Sequence, residues 1–345
     1  MFRRSAPDAT PPPSGETAPR PRRWGLYGPY IALAIAVALW SGAWLTARSE
    51  VIRRMDSLVA SFEASGHHLQ WSQRTVGGYP FRLSVVVTDF KGQAPGGWGV
   101  ESRRLEAEAF MHAPGHWVLA APEGLTLLRP AGGPVDITGT PIHASLHGLA
   151  VRPPSFSLEG LDLRFTGREK PFVLSGADKF ELHLRPGPDR QGAILFRLTN
   201  GRANPPGLLG RIAGNQPVNL ELEAILSRAD ALKGPGWSRA VRAWAAAGGR
   251  ANLRSARASA GSAMIEAKPG ELSLSQDGRL AGQINVTLRK APEALSDLTS
   301  QGVIPGSASA GLPPGSDPAA QATLTFKDGA TFLGQIPIGP APRLF

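Results

Sequence analysis

Cysteine is absent from this chain of 345 residues. Its absence excludes disulfides, thiolate metal sites, iron–sulfur clusters and cysteine nucleophiles. A chain of this length can bury enough apolar surface to fold without covalent cross-links.

The motifs G-x-S-x-G, H-E-x-x-H, G-x-x-x-x-G-K-[ST] and G-x-G-x-x-G are also absent, and these are the usual short signatures of hydrolases, zinc proteases and nucleotide-binding loops. We therefore predict no catalytic residue, no metal ligand and no cofactor, and a protein that is not an enzyme. A hydrolase with paired carboxylates stays open as an alternative, because such pairing is spatial.

Dense basic runs are missing as well. The net charge is +10, and residues 1–24 hold five arginines and two acids, which gives 5 − 2 = +3. The remaining positive charge is spread over more than 300 residues without aromatic interleaving. Nucleic-acid-binding proteins usually cluster their Lys and Arg, so the sequence predicts no nucleic-acid partner. Residues 1–24 are Pro-rich and polar, which predicts a disordered tail.

Charge is absent altogether from residues 25–47. These 23 residues would form a helix of roughly 34 Å at about 1.5 Å per residue, enough to cross a hydrocarbon core of about 30 Å. Tyr27, Tyr30, Trp40 and Trp44 lie toward the two ends, where aromatic rings favour the headgroup layer. We predict a single transmembrane helix. A buried helix of a soluble protein and a cleaved signal peptide ending at Leu45-Thr46-Ala47 are the alternatives.

The arginines next to this span predict its orientation. Arg20, Arg22 and Arg23 precede it directly, and positive flanks stay cytoplasmic. Basic residues that follow the span, including Arg48, weaken the contrast without reversing it. The prediction is an N-terminus inside the cell and a C-terminal domain outside, which in a Gram-negative bacterium is the periplasm.

After the span, residues 48–66 predict an amphipathic helix. Its apolar residues recur on one helical face: Val51, Ile52, Met55, Leu58, Val59 and Phe62. Gly66 is suited to end it. We interpret this helix as the cover of a sheet, with a membrane-surface or partner-binding helix as the alternative.

Strand patterns dominate residues 67–345. Apolar and polar residues alternate in many runs, for example around Leu83, Leu105, Ile142, Leu182, Leu220 and Val286. Such alternation predicts antiparallel strands with one apolar and one wet face. The predicted fold class is mainly β: an elongated, curved antiparallel sheet with a few covering helices, built either as one domain or as two subdomains, 67–200 and 214–345.

Several local features interrupt the strands. The apolar phase switches between Leu158 and Leu161, which predicts a β-bulge at Glu159-Gly160. Short helices are predicted near residues 206–213, 237–247 and 292–302, and a loop over 305–319. Two Asp-Gly pairs, within 272–284 and 324–336, predict tight hairpins, and the two segments resemble each other as a weak repeat.

Histidines and one glycine-rich turn are the remaining candidates for chemistry. His143 and His147 lie on the polar face of a predicted strand, His112 and His116 bracket a turn, and His67-His68 are adjacent. No carboxylate is placed beside them by sequence, so we interpret them as exposed strand and loop residues. The segment Gly77-Gly78-Tyr79-Pro80-Phe81-Arg82 predicts a turn followed by a strand. The functional alternative is that Arg82 contacts an anionic headgroup or partner.

The span, the amphipathic helix, the Gly-Gly-Tyr-Pro-Phe-Arg segment and the terminal Leu-Gly-Gln-Ile-Pro-Ile pattern together resemble a family of bacterial proteins, mostly alphaproteobacterial, called domain of unknown function 2125. The resemblance covers roughly residues 50–340. It carries no catalytic residue, because the family has no established activity. The chain is also similar, more distantly, to AsmA-like envelope proteins, which are inner-membrane-anchored and linked to lipid movement or outer-membrane assembly.

These observations lead to one main functional hypothesis. The sequence predicts a protein anchored in the bacterial inner membrane, with a periplasmic domain that binds or passes lipid along an apolar groove. The predicted partners are the bilayer and a lipid. The alternative is an envelope scaffold or assembly factor that binds another envelope protein through a sheet edge or a helix.

Overall fold

The structure of the protein, a computed structural model, describes residues 24–204, 213–289, 300 and 319–345. It divides into two compact units, of which the first ends at Thr46 and the second covers Ala47–Phe345. Helix α1, Trp24–Glu63, is 40 residues long. It is therefore one continuous helix where the sequence predicted a span and a separate amphipathic helix. Within the described residues it is the one helix long and apolar enough to cross a membrane.

The second unit is built mainly from β-strands. A short 3-10 helix, Ala229–Ala231, and helix α2, Trp237–Ala246, interrupt them. In chain order the strands are β1 His68–Gln70, β2 Gln73–Gly77, β3 Arg82–Gln93, β4 Gly99–Phe110, β5 Trp117–Ala120, β6 Leu125–Leu128, β7 Val135–Thr138, β8 Ile142–His147, β9 Ser155–Gly167, β10 Leu174–Pro186, β11 Gly192–Ala203, β12 Val218–Leu226, β13 Ala251–Ala260, β14 Ala263–Ala267, β15 Gly270–Leu274, β16 Leu280–Arg289, β17 Ala319–Lys327, β18 Ala330–Leu333 and β19 Ile336–Pro340.

All of these strands belong to one large, curved antiparallel sheet, as the alternation predicted. Most strands pair with their neighbours in sequence, because short turns favour antiparallel hairpins. Four positions in the sheet are each shared by two short strands. β1 and β2 both pair with β3, β5 and β6 with β4, β7 and β8 with β9, and β14 and β15 with β13. Register shifts within four pairings, such as β11 with β12, add local bends.

Helices and the C-terminal segment cover the two ends of the sheet. In α1, Val51, Ile52 and Met55 pack against a buried cluster on β2 and β3 formed by Val76, Val85 and Val87. This part of α1 covers the sheet, as its amphipathic pattern predicted. At the other end the core consists of four residues, Leu253, Ile284, Phe326 and Ala341. α2 buries Val241 and Trp244, and the indole N–H of Trp244 donates to the Ser227 carbonyl at 2.7 Å.

The predicted bulge at Glu159-Gly160 is wrong. β9 keeps one register with β10 on both sides of this pair, so no residue is inserted. The phase switch arises instead at Asp162, whose φ of 49° is left-handed. This conformation breaks the alternation, so that Leu163 packs over Gly160. Asp tolerates the left-handed region better than most residues.

The other local predictions had different outcomes. The helix near 237–247 and both Asp-Gly hairpins are confirmed as α2, β15–β16 and β17–β18. Asp328 and Gly329 both have positive φ and form a two-residue turn between β17 and β18. The predicted helix at 292–302 and the loop at 305–319 lie almost wholly outside the described residues, as do most residues of the helix at 206–213.

Candidate functional site

An apolar row crosses the sheet from β2 to β17. Antiparallel pairing places directly opposed residues on the same face, so a row of opposed residues is a continuous surface. This row, called the apolar row below, consists of thirteen residues on thirteen strands: Val76, Val85, Ala107, Leu119, Ala144, Leu158, Leu182, Phe196, Leu222, Ala256, Ala267, Val286 and Ala322. No polar side chain interrupts it.

A second apolar row runs beside it: Leu83, Ala109, Trp117, Leu146, Phe156, Leu184, Ile194, Ala224 and Leu253. Together the two rows form an apolar band. The band crosses many strands, so it extends far beyond the surface that any single pair of strands could provide. The continuity of the apolar row depends on twelve strand pairings keeping the same phase.

Cover over this band is uneven. Val76 and Val85 at one end of the apolar row are buried, and so is Val286 near the other end. Between them Leu119 is 40% exposed and Leu222 is 36% exposed. Large apolar side chains that stay exposed on a continuous surface mark a site of interaction. The band is therefore an apolar surface with covered ends and an open middle.

A polar row crosses the opposite face of the same strands. Its directly opposed residues are His143, Glu159, Glu181, Arg197, Glu221, Arg257 and Glu266. Opposite charges alternate along most of it: Arg197 contacts Glu221 at 3.1 Å, and Arg257 contacts Glu266 at 2.9 Å. Cross-strand pairs of opposite charge stabilise a sheet. This face is charged and self-paired, which distinguishes it from the apolar band.

Glu181 is the most buried member of the polar row, with 9% of its surface exposed. Lys179 Nζ donates to it at 2.9 Å, and Arg197 Nη1 lies 3.5 Å from its other oxygen. The hydrogen bond from Lys179 lowers the pKa of Glu181 and outweighs burial, which acts in the opposite direction. The sheet therefore holds an ionised carboxylate on this face at neutral pH.

Glu159, Glu181 and His183 bring one ligand atom each within 4.8 Å of one another, the one such group among residues 24–204, 213–289 and 319–345. Carboxylate and imidazole are suitable metal ligands. However, Lys179 and Arg197 already neutralise Glu181, and His183 Nδ1 lies 2.9 Å from Ser157 Oγ. Glu181 and His183 are therefore already engaged with neighbouring side chains of the polar face.

A cleft of about 480 Å³ opens beside β1 and the hairpin β3–β4. Trp71, Asp89, Lys91, Arg103 and Arg168 contribute to its lining. Most of its charges are engaged with one another: Lys91 contacts Glu101 at 2.6 Å, and Arg168 binds Asp136 at 2.7 Å. The hydrogen bond from Arg168 lowers the pKa of Asp136. The cleft thus offers paired charges rather than a converging set of groups of one sign.

Arg82, His143 and His147, which the sequence singled out, each contact a polar or charged side chain. Arg82 Nη1 contacts Glu108 at 3.1 Å, so its guanidinium is engaged with a carboxylate. His143 Nε2 lies 3.7 Å from Glu159, and His147 Nε2 lies 2.8 Å from Arg185. The sequence placed no carboxylate beside these histidines, and the structure brings Glu159 close to His143. Sequence reasoning missed this pair because the register between β8 and β9 joins residues that are far apart in the chain.

The fold and its surfaces define a protein with one N-terminal helix able to span a membrane and a large antiparallel sheet with opposed apolar and polar faces. The chain belongs to a family described as an uncharacterized protein conserved in bacteria, the domain of unknown function 2125, whose family model matches residues 44–342. This confirms the resemblance found in the sequence. No curated protein matches the chain, and no solved structure does.

Proposed function

We propose that this protein is anchored in the bacterial inner membrane by α1 and binds the acyl chains of lipids on the apolar band of its sheet, in the periplasm. The observation that carries the proposal is the apolar row with its open middle at Leu119 and Leu222. An acyl chain is long, thin and apolar, and a band that crosses many strands offers a surface of matching length. Burial of apolar area supplies about 25 cal/mol per Å², so a lipid gains by leaving water for this band.

Anchoring beside a bilayer supports the same proposal. A domain held next to the membrane meets lipid at high effective concentration, so even a modest affinity gives useful occupancy. The protein acts in this proposal as a binder or carrier and not as an enzyme. Many charges of the polar row and the cleft are paired with one another, which agrees with this role.

Site-specific photo-crosslinking tests the proposal. The photoreactive residue p-benzoylphenylalanine is placed at Leu119 in one full-length variant and at Val118 in another. The two positions are adjacent in β5 and similarly exposed, at 40% and 45%, but they face opposite sides of the sheet. After irradiation in cells, the purified protein is analysed by mass spectrometry. We expect lipid adducts at Leu119 and none at Val118.

A second matched pair, Leu222 and Glu223 on β12, repeats the comparison at a distance from the first. Lipid adducts at both apolar positions support a continuous band. Equal lipid labelling on both faces, or no lipid adduct at either apolar position, would contradict the proposal. Crosslinks from Leu119 and Leu222 to another protein would instead favour an envelope scaffold or assembly factor.

A further inference from the structure

Exposed aromatic side chains gather at one end of the β3–β4 hairpin. Phe81 directly precedes β3 and is 72% exposed, and Phe110 ends β4 and is 59% exposed. The two positions are neighbours, because Phe110 pairs with Arg82 and the Met111 N–H donates to the Phe81 carbonyl at 2.9 Å. Tyr79, in the same turn, is also exposed. We call these three residues the aromatic tip.

The two phenylalanines lie on opposite sides of the hairpin. Phe81 continues the alternation of Leu83 and Val85, whereas Phe110 is opposed to Arg82 and lies on the other face. A groove on a protein partner would contact one face of such a ribbon. A lipid bilayer can surround the end of the hairpin, so that the side chains on both faces contact an apolar environment.

A contact made by Arg48 within the second unit supports a lipid bilayer as the occupant. Arg48 is the first residue after the charge-free segment 25–47, and its Nε donates to the Val76 carbonyl at 3.1 Å. Tyr79 follows Val76 by three residues, which limits their separation to about 11 Å. With the span inserted, a chain position one residue beyond it lies at the membrane surface. The aromatic tip is thus within reach of the interfacial layer, where aromatic rings are favoured.

We propose that the aromatic tip inserts into the outer interfacial layer of the same bilayer and forms a second membrane contact of the protein. This inference rests on the proposed membrane anchoring. The second contact would hold the β3 end of the sheet against the membrane, and Phe81 would lie in line with Leu83 and Val85 of the apolar band. It would therefore place one end of the band at the lipid surface.

Single-cysteine labelling tests the insertion, because the natural chain contains no cysteine. Full-length variants Phe81→Cys, Phe110→Cys, Trp98→Cys and Leu39→Cys are labelled with the fluorophore NBD and reconstituted into vesicles of phosphatidylglycerol and phosphatidylethanolamine. Some vesicles contain phospholipid with a nitroxide near the headgroup, and others contain phospholipid with a nitroxide on the acyl chain, at the depth expected for Leu39. Trp98 is the matched control: it is exposed like the tip residues, at 51%, but lies at the other end of the same hairpin, about 36 Å away at about 3.3 Å per residue. Leu39 reports on the span itself.

We expect nitroxide lipid to quench the labels at Phe81 and Phe110 several-fold more than the label at Trp98. The tip proposal is overturned if Leu39 is quenched while Phe81 and Phe110 are quenched no more than Trp98. If Leu39 itself escapes quenching, the anchoring proposal fails and the tip proposal fails with it. Circular dichroism of each variant confirms that the exposed substitutions leave the sheet intact.

Discussion

Glu181 shows how a single charged residue can be buried in a sheet without weakening it. Its carboxylate is held by Lys179 and Arg197, and breaking a hydrogen bond to a buried charged group costs about 1–3 kcal/mol. We expect Glu181→Gln to lower the free energy of unfolding by this amount in urea denaturation followed by tryptophan fluorescence. Glu223→Gln is the control, because Glu223 is an exposed carboxylate on the neighbouring part of the same face. Equal losses of stability in the two variants would show that Glu181 contributes no more than an exposed carboxylate.

The lowered pKa of Glu181 makes this difference depend on pH. A carboxyl whose pKa is lower in the folded state stabilises the protein fully above its unfolded pKa, near 4.3, and loses that contribution as the pH falls through the folded value. The stability gap between the natural protein and Glu181→Gln should therefore be full at neutral pH and shrink in acid, below about pH 4. Paired urea titrations across this range measure it. A gap that grows on acidification would contradict the assignment.

At the scale of single elements, the break between β5 and β6 lets two short strands share one position beside β4. Gly124 lies at this break with a φ of +82°, and a Cβ there would meet the Ile137 carbonyl oxygen at 2.5 Å. Gly148 has a similar φ of +68° but open space around it. Alanine at a positive φ costs about 1 kcal/mol, and a backbone clash adds to it. We expect Gly124→Ala to lower the free energy of unfolding by at least about 2 kcal/mol more than Gly148→Ala does, as measured by thermal unfolding. Equal costs in the two variants would show that the backbone shifts to relieve the close approach at Gly124.

The end of α1 provides a second element with a measurable role. Ile52 packs on the cluster of Val76, Val85 and Val87, whereas Leu58 on the same helix is exposed. Truncating a half-buried Ile side chain should cost about 1–3 kcal/mol, below the range for full burial. Ile52→Ala should therefore destabilise the sheet in urea while Leu58→Ala has little effect. Loss of stability in Leu58→Ala alone would show that the covering face of the helix has been misassigned.

These elements also show what sequence can predict here. Strand existence and the two faces follow from period-2 alternation, which is local, so Leu83 and Val85 were placed on the apolar side correctly. The apolar row and the polar row were not predictable, because register joins residues from distant strands. The His143–Glu159 pair is one result of such a register. Asp162 shows a second limit of sequence-based prediction. Its left-handed φ shifts the alternation of apolar and polar residues just as an inserted residue would, so the sequence pattern could not distinguish a left-handed residue from a β-bulge.

On the scale of the whole molecule, two chemically different faces of one sheet have different roles. The charged face stabilises the strands through its own cross-strand pairs. The apolar face is covered near its ends and open between them, and a large exposed apolar surface is typical of a site of interaction. The proposed function requires this apolar face to lie in the periplasm, so the side of the membrane on which the sheet lies tests the proposal.

That side can be measured directly, since a chain without cysteine reports unambiguously on any cysteine introduced into it. Ser14→Cys marks the tail before the span, and Lys327→Cys marks a side chain of the sheet that is 72% exposed. A maleimide that crosses the outer membrane but not the inner membrane should label Lys327→Cys in intact Gram-negative cells and Ser14→Cys only after lysis, because we expect the arginines before the span to keep the tail in the cytoplasm. The reverse pattern would place the sheet in the cytoplasm. Labelling of both sites in intact cells would mean that α1 does not span the membrane.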